Sequence, residues 1–242
     1  MIDIDFEILE QKLKLISILY RNDFDEFWEW KVKIESRDGH ILDDKHRRKA
    51  YLKLCGVLPK WDTYRGATGL QWEKILKESL DNIVSAYDSV RSYSLLDLNE
   101  IPQEPLRTIW DELGRVKDYG KRNPGGYYYV ISVCKPLVFL WGQTLAFDSL
   151  NRENLPSRYS VPRDNMWHFK AWLEAMNKIQ EDFRDSTGAI NYFIRLARQK
   201  YGSDFVVPHG RFLDAYYWLP VQELKRRYAK KVSRKKSFQP TS

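Results

Sequence analysis

Residues 120–152 read GKRNPGGYYYVISVCKPLVFLWGQTLAFDSLNR and contain the longest apolar run of the chain, around residues 127–142. Residues 127–141 suit either a buried helix or a buried strand, because periodicity does not separate the two in an apolar run. We favour a helix, since the segments on both sides have helical periodicity. After a short connector, Asp148 is expected to begin the next helix, because aspartate is a preferred N-cap residue.

Helical periodicity extends outward from this stretch in both directions. In residues 70–91 and 164–184 the apolar side chains recur on one face, which is typical of amphipathic helices. Residues 187–201 follow the same pattern, with Gly202 as the expected C-cap. Strand-like alternation is scarce, so we expect an all-α, multi-helix globular fold. Further helices are predicted over residues 5–20, 24–34, 44–54, 105–117 and 211–228, the last interrupted at Pro220.

Positive charge is concentrated at the C-terminus. The chain carries a formal net charge of +7, and residues 221–242 alone contain eight Lys or Arg residues against one Glu. We therefore divide the chain into a helical body, residues 1–220, and a basic tail, residues 221–242. A cleft between two helical subdomains is one arrangement of the body. This asymmetry favours nucleic acid as a partner, with a membrane surface or a merely solubilising tail as alternatives.

Several protein classes do not fit the composition. No apolar run approaches the roughly 20 residues that span a bilayer, and the acidic start MIDIDFE is unlike a signal peptide. We expect a cytoplasmic monomer without a membrane partner. Cys55 and Cys134 lie in apolar surroundings, which favours buried thiols. Zinc-ligand spacings, a P-loop and dinucleotide-binding glycines are absent from the sequence, so we expect no metal and no cofactor.

A glycine-rich basic loop opens the stretch quoted above. Gly125 and Gly126 let the backbone approach a phosphate closely, and the N–H groups of a following helix start favour an anion. Lys121 and Arg122 add positive charge. We expect these four residues to bind the phosphate backbone of DNA, with an ordinary connecting loop as the alternative.

Two charged residues in the rest of the stretch are candidates for chemistry. Lys135 lies among apolar residues, which would lower the pKa of its amine and free a nucleophile. The alternative is a lysine that extends along its apolar stem to the surface. Asp148, at the expected helix start, would accept backbone N–H groups and stay ionised. Capping alone is the simpler interpretation of Asp148, and it is compatible with a catalytic role.

The order of these features resembles the active-site segment of the helix-hairpin-helix DNA glycosylase superfamily, which includes endonuclease III and the 8-oxoguanine glycosylases. In that family a glycine-bearing hairpin precedes a lysine near the start of an apolar helix. A short connector then leads to an aspartate that starts the next helix. AFDSLNR, at residues 146–152, is similar to the family pattern Val-Asp-Thr-His-Val. The cysteines of the endonuclease III iron–sulfur cluster have no counterpart in this sequence.

The resemblance implies a DNA N-glycosylase that flips a damaged or modified base out of double-stranded DNA and excises it, leaving an abasic site. It implies that Asp148 is the catalytic carboxylate and that Lys135 is the lysine of an abasic-site lyase. The setting would be DNA repair or defence against modified phage DNA. Two other interpretations stay open: a non-catalytic nucleic-acid-binding protein and a helical protein-interaction protein.

The other site residues are assigned around this pair. A base pocket needs a stacking platform and polar groups, although core packing is the simpler role for each aromatic residue. The pocket candidates are Tyr128, Trp141, Phe147, Asp214 and Trp218. Basic residues would bind backbone phosphates without reading sequence. Beyond the loop, the candidates for this contact are Arg152, Lys225, Arg226, Arg227, Lys230 and Lys231.

Overall fold

The structure is a computed structural model of the chain. It describes residues 2, 4–20, 22–37, 39–64, 71–118, 120–121, 123, 125–202, 205–218 and 220–237, without the side chains of 18–20 and 231–237. With 71% helix and 3% strand, it confirms the predicted all-α class. Within these ranges, none of the helices combines the length and the apolar character that crossing a bilayer requires.

The helical elements follow one another along the chain with short connections. The first six α-helices are α1 (Phe6–Tyr20), α2 (Asp23–Glu35), α3 (Asp44–Val57), α4 (Gln71–Asn82), α5 (Val84–Val90) and α6 (Gln103–Gly114). The others described are α7 (Val130–Leu140), α8 (Ser149–Asn154), α9 (Phe169–Arg184), α10 (Thr187–Tyr201), α11 (His209–Tyr217) and α12 (Val221–Ser237). Short 3-10 helices cover Pro59–Trp61, Leu95–Glu100 and Ser157–Tyr159. Strands β1 (Tyr127–Tyr129) and β2 (Met166–His168) form an antiparallel pair.

The helix predicted over residues 70–91 is two helices. Ile83 separates α4 from α5 and has φ −93° and ψ 2°, outside the helical range. Its side chain is fully buried, so the apolar pattern continues across the break. Periodicity alone therefore did not reveal where the backbone leaves the helix.

The predicted helices over residues 127–141 and 164–184 each begin with a strand. Tyr129 has an extended backbone and stands directly before α7, while β1 pairs with β2 in the register Tyr128 to Trp167. At the start of α9, His168 is the N-cap, and its Nδ1 accepts the N–H of Ala171 at 3.0 Å. The short strand pair thus brings the starts of α7 and α9 together, which the sequence pattern did not show.

The helix α7 lies at the centre of the core. Its residues from Ser132 to Leu140 are all buried, and it packs against α2 and α6. The ring of Phe139 contacts Phe27 and Trp61, with ring centroids 5.5 Å and 4.7 Å apart. Cys134 on this helix is buried as expected, whereas Cys55 on α3 is only partly buried. Any charged group on α7 must therefore find its partners inside the protein.

The basic segment folds as a helix that docks on the body. Leu224 of α12 is buried in a small cluster with Ile16 of α1 and Ala215 of α11. Most of the basic side chains between Lys225 and Lys230 remain exposed on the other faces of α12. The predicted body and basic tail are thus in contact, and the charge is presented on a helix.

Close packing between α11 and the backbone of residues 143–144 gives a prediction on stability. A Cβ added at Gly210 would lie 2.2 Å from the carbonyl carbon of Gln143 and 2.4 Å from the nitrogen of Thr144. Because these are backbone atoms, we expect Gly210→Ala to lower the free energy of unfolding by about 1–3 kcal/mol. Urea denaturation measures this change.

Gly56, inside α3, provides the matched control. A Cβ there would meet no atom within 4 Å. Gly56→Ala should therefore raise the free energy of unfolding by about 0.5–1 kcal/mol, because alanine loses less backbone entropy in a helix. If Gly210→Ala were equally stabilising, the close approach of α11 to residues 143–144 would be contradicted.

Candidate active site

A cavity of about 630 Å³ opens where α7, α11 and the segment around Pro59–Trp61 approach one another. Its volume lies within the roughly 300–1,000 Å³ of small-molecule sites. Lys135, Asp148 and Asp214 all line it. The cavity therefore collects two side chains predicted to be catalytic and one predicted to contact a base.

Lys135 reaches the cavity from the middle of α7. Its side chain is 8% exposed, so the ammonium does not reach the protein surface. The ammonium donates a hydrogen bond to the carbonyl of Trp61, and its Nζ lies 3.7 Å from Oδ2 of Asp148. Burial lowers the pKa of the amine below its usual value, and the carboxylate of Asp148 is the strongest opposing influence.

Asp148 is the N-cap of α8, as predicted. Its Oδ1 accepts the backbone N–H of Asn151 at 3.0 Å, and its Oδ2 accepts the indole N–H of Trp218 at 3.2 Å. Its side chain is 15% exposed. A carboxylate held by two N–H donors and an ammonium is fixed in direction while it still faces the cavity.

The backbone directly before Asp148 is strained. Phe147 has φ 49°, a left-handed conformation that costs a non-glycine residue on the order of 1–3 kcal/mol. Its ring is fully buried and lies 5.1 Å from the ring of Trp167, so packing holds the conformation in place. This strained residue directly precedes Asp148, the N-cap of α8.

A second charged pair, on α11, lies beside the first. Asp214 accepts the backbone N–H of Ala146 at 2.8 Å and forms an ion pair with Nη1 of Arg211 at 2.9 Å. Burial raises the pKa of the Asp214 carboxyl, and Arg211 partly opposes that shift. The guanidinium of Arg211 lies 5.0 Å from the ring of Phe24 and 5.1 Å from that of Trp61.

Aromatic and basic side chains complete the cavity wall. The aromatic members are Trp61, Tyr129 and Trp218, and further basic members are Lys60, Lys117 and Arg227. Lys117 places its ammonium 3.7 Å from the ring centroid of Tyr129. Lys60 pairs with Asp23 at 2.8 Å. The cavity thus combines flat stacking surfaces with positive charge.

The structure corrects the assignment of three of the five residues predicted to form the base pocket. Asp214 and Trp218 line the cavity, whereas Trp141, Phe147 and Tyr128 do not. Trp141 is buried and donates its indole N–H to the carbonyl of Tyr93 at 3.0 Å. The ring of Tyr128 is buried over Gly114. These three aromatics are core residues, because the segments around α7 are enclosed on all sides.

None of the described residues of the glycine-rich loop lines this cavity. Gly125 and Gly126 line a separate groove of about 780 Å³, together with Tyr127 and His168. The expected helix start after the glycines is absent, since strand β1 follows them. Lys121 is exposed, and Arg122 lies outside the described residues. The predicted anion site therefore has no helix N-terminus at this position, and phosphate binding by the loop stays a prediction.

The other predicted phosphate contacts separate into two groups. Arg152 is engaged within the protein, where it donates to the carbonyls of the 162–164 loop, among them that of Arg163 at 2.7 Å. It therefore orders that loop instead of facing outward. On α12, Arg226 and Arg227 pair with Glu223 at 2.8 Å and 3.0 Å, while Lys225 and Lys230 are exposed. The side chain of Lys231 lies outside the described part.

Trp61 and Arg211 are among the cavity residues that were missed in the sequence. Trp61 lies 74 positions before Lys135, and contacts between these distant segments bring them together. Arg211 lies on a segment that was predicted only as a helix. Its position three residues before Asp214, one helical turn away, was the available signal for an ion pair.

Neither a metal cluster nor a known relative identifies the site. Among the described residues, no group of three or more His, Cys, Asp or Glu side chains is placed to hold a metal ion. No family model matches the chain, and no match is found among curated proteins or solved structures. The chemistry of the cavity must therefore be argued from its own geometry.

The Lys135–Asp148 contact predicts a measurable titration. We expect the pKa of the Lys135 amine to lie below the usual lysine value of 10.5, because burial disfavours the ammonium. Asp148→Asn should lower that midpoint further, since the carboxylate stabilises the charge. NMR of the lysine side-chain nitrogen measures both values. In the control Asp44→Asn, where the side chain is 93% exposed, the midpoint should not change. A midpoint of 10.5 or higher in the wild-type protein would contradict the burial of this amine.

Proposed function

We propose that the protein is a DNA N-glycosylase that receives an extruded, damaged or modified base in this cavity and releases it. The observation that carries the proposal is the Lys135–Asp148 pair, 3.7 Å apart, in the wall of a cavity of about 630 Å³. The resemblance of residues 120–152 to the helix-hairpin-helix glycosylases supports it, because that resemblance selected the same two residues.

Asp148 supplies the carboxylate for breaking the glycosidic bond. As the bond between C1′ and the base nitrogen breaks, its electron pair leaves with the base and positive charge develops on the sugar. A fixed carboxylate in a partly buried site stabilises that charge more than water does. Water then adds to C1′ and loses a proton, which leaves an abasic site.

Lys135 contributes in two protonation states. As an ammonium it pairs with the carboxylate of Asp148 before the base is bound. After losing its proton, which burial favours, the amine is a nucleophile for C1′ of the abasic sugar. Attack with loss of water gives a Schiff base, and loss of a proton from C2′ to water then breaks the C3′–O bond and releases the 3′ phosphate. Lyase activity therefore forms part of the proposal.

The walls of the cavity suit an extruded nucleotide. Trp61, Tyr129 and Trp218 line the cavity, and aromatic side chains of this kind stack on bases. Extrusion costs a few kcal/mol, which stacking and pocket contacts must offset. Lys60, Lys117 and Arg227 lie at the same cavity, and Lys225 and Lys230 on α12 are exposed. Such cations bind backbone phosphates without reading the sequence.

Replacing one carboxylate oxygen tests the catalytic role directly. Asp148→Asn keeps a side-chain oxygen that caps α8, so the fold should be preserved. It removes the negative charge, and we expect base release to fall by about 100-fold or more. Affinity for duplex DNA should stay within about twofold of wild type. Mass spectrometry of bases released from damaged DNA and from hypermodified phage DNA measures the reaction.

The exposed residue Asp44 provides the control for this change. Asp44→Asn should release bases at the wild-type rate, because this side chain is 93% exposed on α3. Wild-type protein that binds DNA but releases no base from any substrate would support the non-catalytic nucleic-acid-binding alternative and reject the enzyme. Wild-type protein that does neither would leave only the protein-interaction alternative.

The salt dependence of binding tests the role of α12. Each phosphate neutralised by a lysine releases counterions, so Lys225→Gln and Lys230→Gln should each reduce the slope of log affinity against log salt by about 0.9. The control Lys77→Gln changes a lysine on α4 that is 62% exposed and pairs with Asp81. An unchanged slope in both α12 variants would show that DNA does not contact this helix.

A further inference from the structure

Arg211 is a buried charge in the cavity that the mechanism above does not use. Its side chain is only 7% exposed, yet it lines the same cavity as Lys135 and Asp148. A buried ion pair such as Arg211–Asp214 is weak evidence for stability, because apolar residues of similar volume often serve as well. The position of this guanidinium at the cavity therefore needs a different explanation.

The guanidinium is held in one orientation by three sets of contacts. Its Nη1 pairs with Asp214 at 2.9 Å, and Asp214 is itself fixed by the N–H of Ala146 at 2.8 Å. The planar group also lies about equally far from the rings of Phe24 and Trp61. A donor group that is fixed in this way loses little conformational entropy when a ligand binds.

Two nitrogens of the guanidinium have no hydrogen-bond acceptor in the described part of the chain. Arginine carries five N–H donors and no acceptor. Within the part of the chain that the structure describes, only Nη1 of Arg211 has a hydrogen-bond acceptor, the carboxylate of Asp214. The donors of Nε and Nη2 are therefore available to two neighbouring acceptors on one edge of a bound molecule.

We propose that Arg211 reads the extruded base and selects a 6-oxopurine, a purine with a carbonyl at C6. The O6 and N7 acceptors lie side by side on such a base and match a guanidinium in a bidentate contact. A 6-aminopurine presents an amino donor at the same place, which would face an arginine donor without an acceptor. This inference rests on the proposed function, because it assumes that an extruded base enters the cavity.

Binding by the Asp148→Asn protein tests the inference without turnover. The probes are three duplexes that differ in one nucleotide, which carries hypoxanthine, 7-deazahypoxanthine or adenine. Each stands opposite an abasic analogue, so that the cost of unpairing is the same. We expect the hypoxanthine duplex to bind on the order of 10- to 100-fold more tightly than the other two, as one bidentate pair provides. Equal affinities for the three duplexes would overturn the inference.

A conservative variant distinguishes reading from structural support. Arg211→Lys keeps the positive charge beside Asp214 but lacks the planar fork. In the Asp148→Asn background it should bind the three duplexes with equal affinity, and retention of the hypoxanthine preference would overturn the assignment to Arg211. If Arg211→Lys fails to fold, the comparison of the three duplexes with Arg211 intact still tests whether the cavity selects a 6-oxopurine.

Base release by the wild-type protein separates this inference from the proposed function. Release of 6-aminopurines or pyrimidines in preference to 6-oxopurines would overturn the selection by Arg211 while the glycosylase activity stands. Conversely, a preference for the hypoxanthine duplex without any base release would support base reading by Arg211 and reject the glycosylase.

Discussion

The backbone between α7 and α8 is hydrogen-bonded to α11, and the geometry of the cavity depends on this contact. The N–H of Ala146 donates to Asp214, and the N–H of Arg211 donates to the carbonyl of Gly142 at 3.0 Å. Gly210 has no side chain at the closest approach. This connector joins the end of α7, which carries Lys135, to Asp148 at the start of α8. The position of the connector therefore fixes the distance between Lys135 and Asp148.

The same arrangement makes the electrostatics of the cavity possible. An amine buried on α7 would be costly alone, and the carboxylates of Asp148, Asp214 and Asp62 compensate it in part. The carboxylate of Asp148 is held by backbone and indole donors, so little reorganisation is needed when charge develops nearby. Stability alone does not explain this cluster of charges, because buried ion pairs contribute little to it.

Local chemistry explains what could be predicted from the sequence. Asp148 was identified because an aspartate after an apolar connector is a helix N-cap, and Lys135 because a lysine among apolar residues stands out. Trp61 and Arg211 were missed, since they join the site through contacts between distant segments. Trp141 and Phe147 were assigned to the pocket because the sequence alone does not distinguish an aromatic residue in the core from one in a binding site. The break at Ile83 was hidden by a periodicity that continues through it.

In the proposed reaction, the cavity beside Asp148 receives a nucleotide extruded from duplex DNA. A crystal structure of the Asp148→Asn protein bound to duplex DNA that contains a substrate base would show this nucleotide. We expect one nucleotide turned out of the stack, with its base among Trp61, Arg211 and Trp218 and its C1′ beside residue 148. A complex in which every base stays stacked and the DNA lies away from this cavity would contradict it.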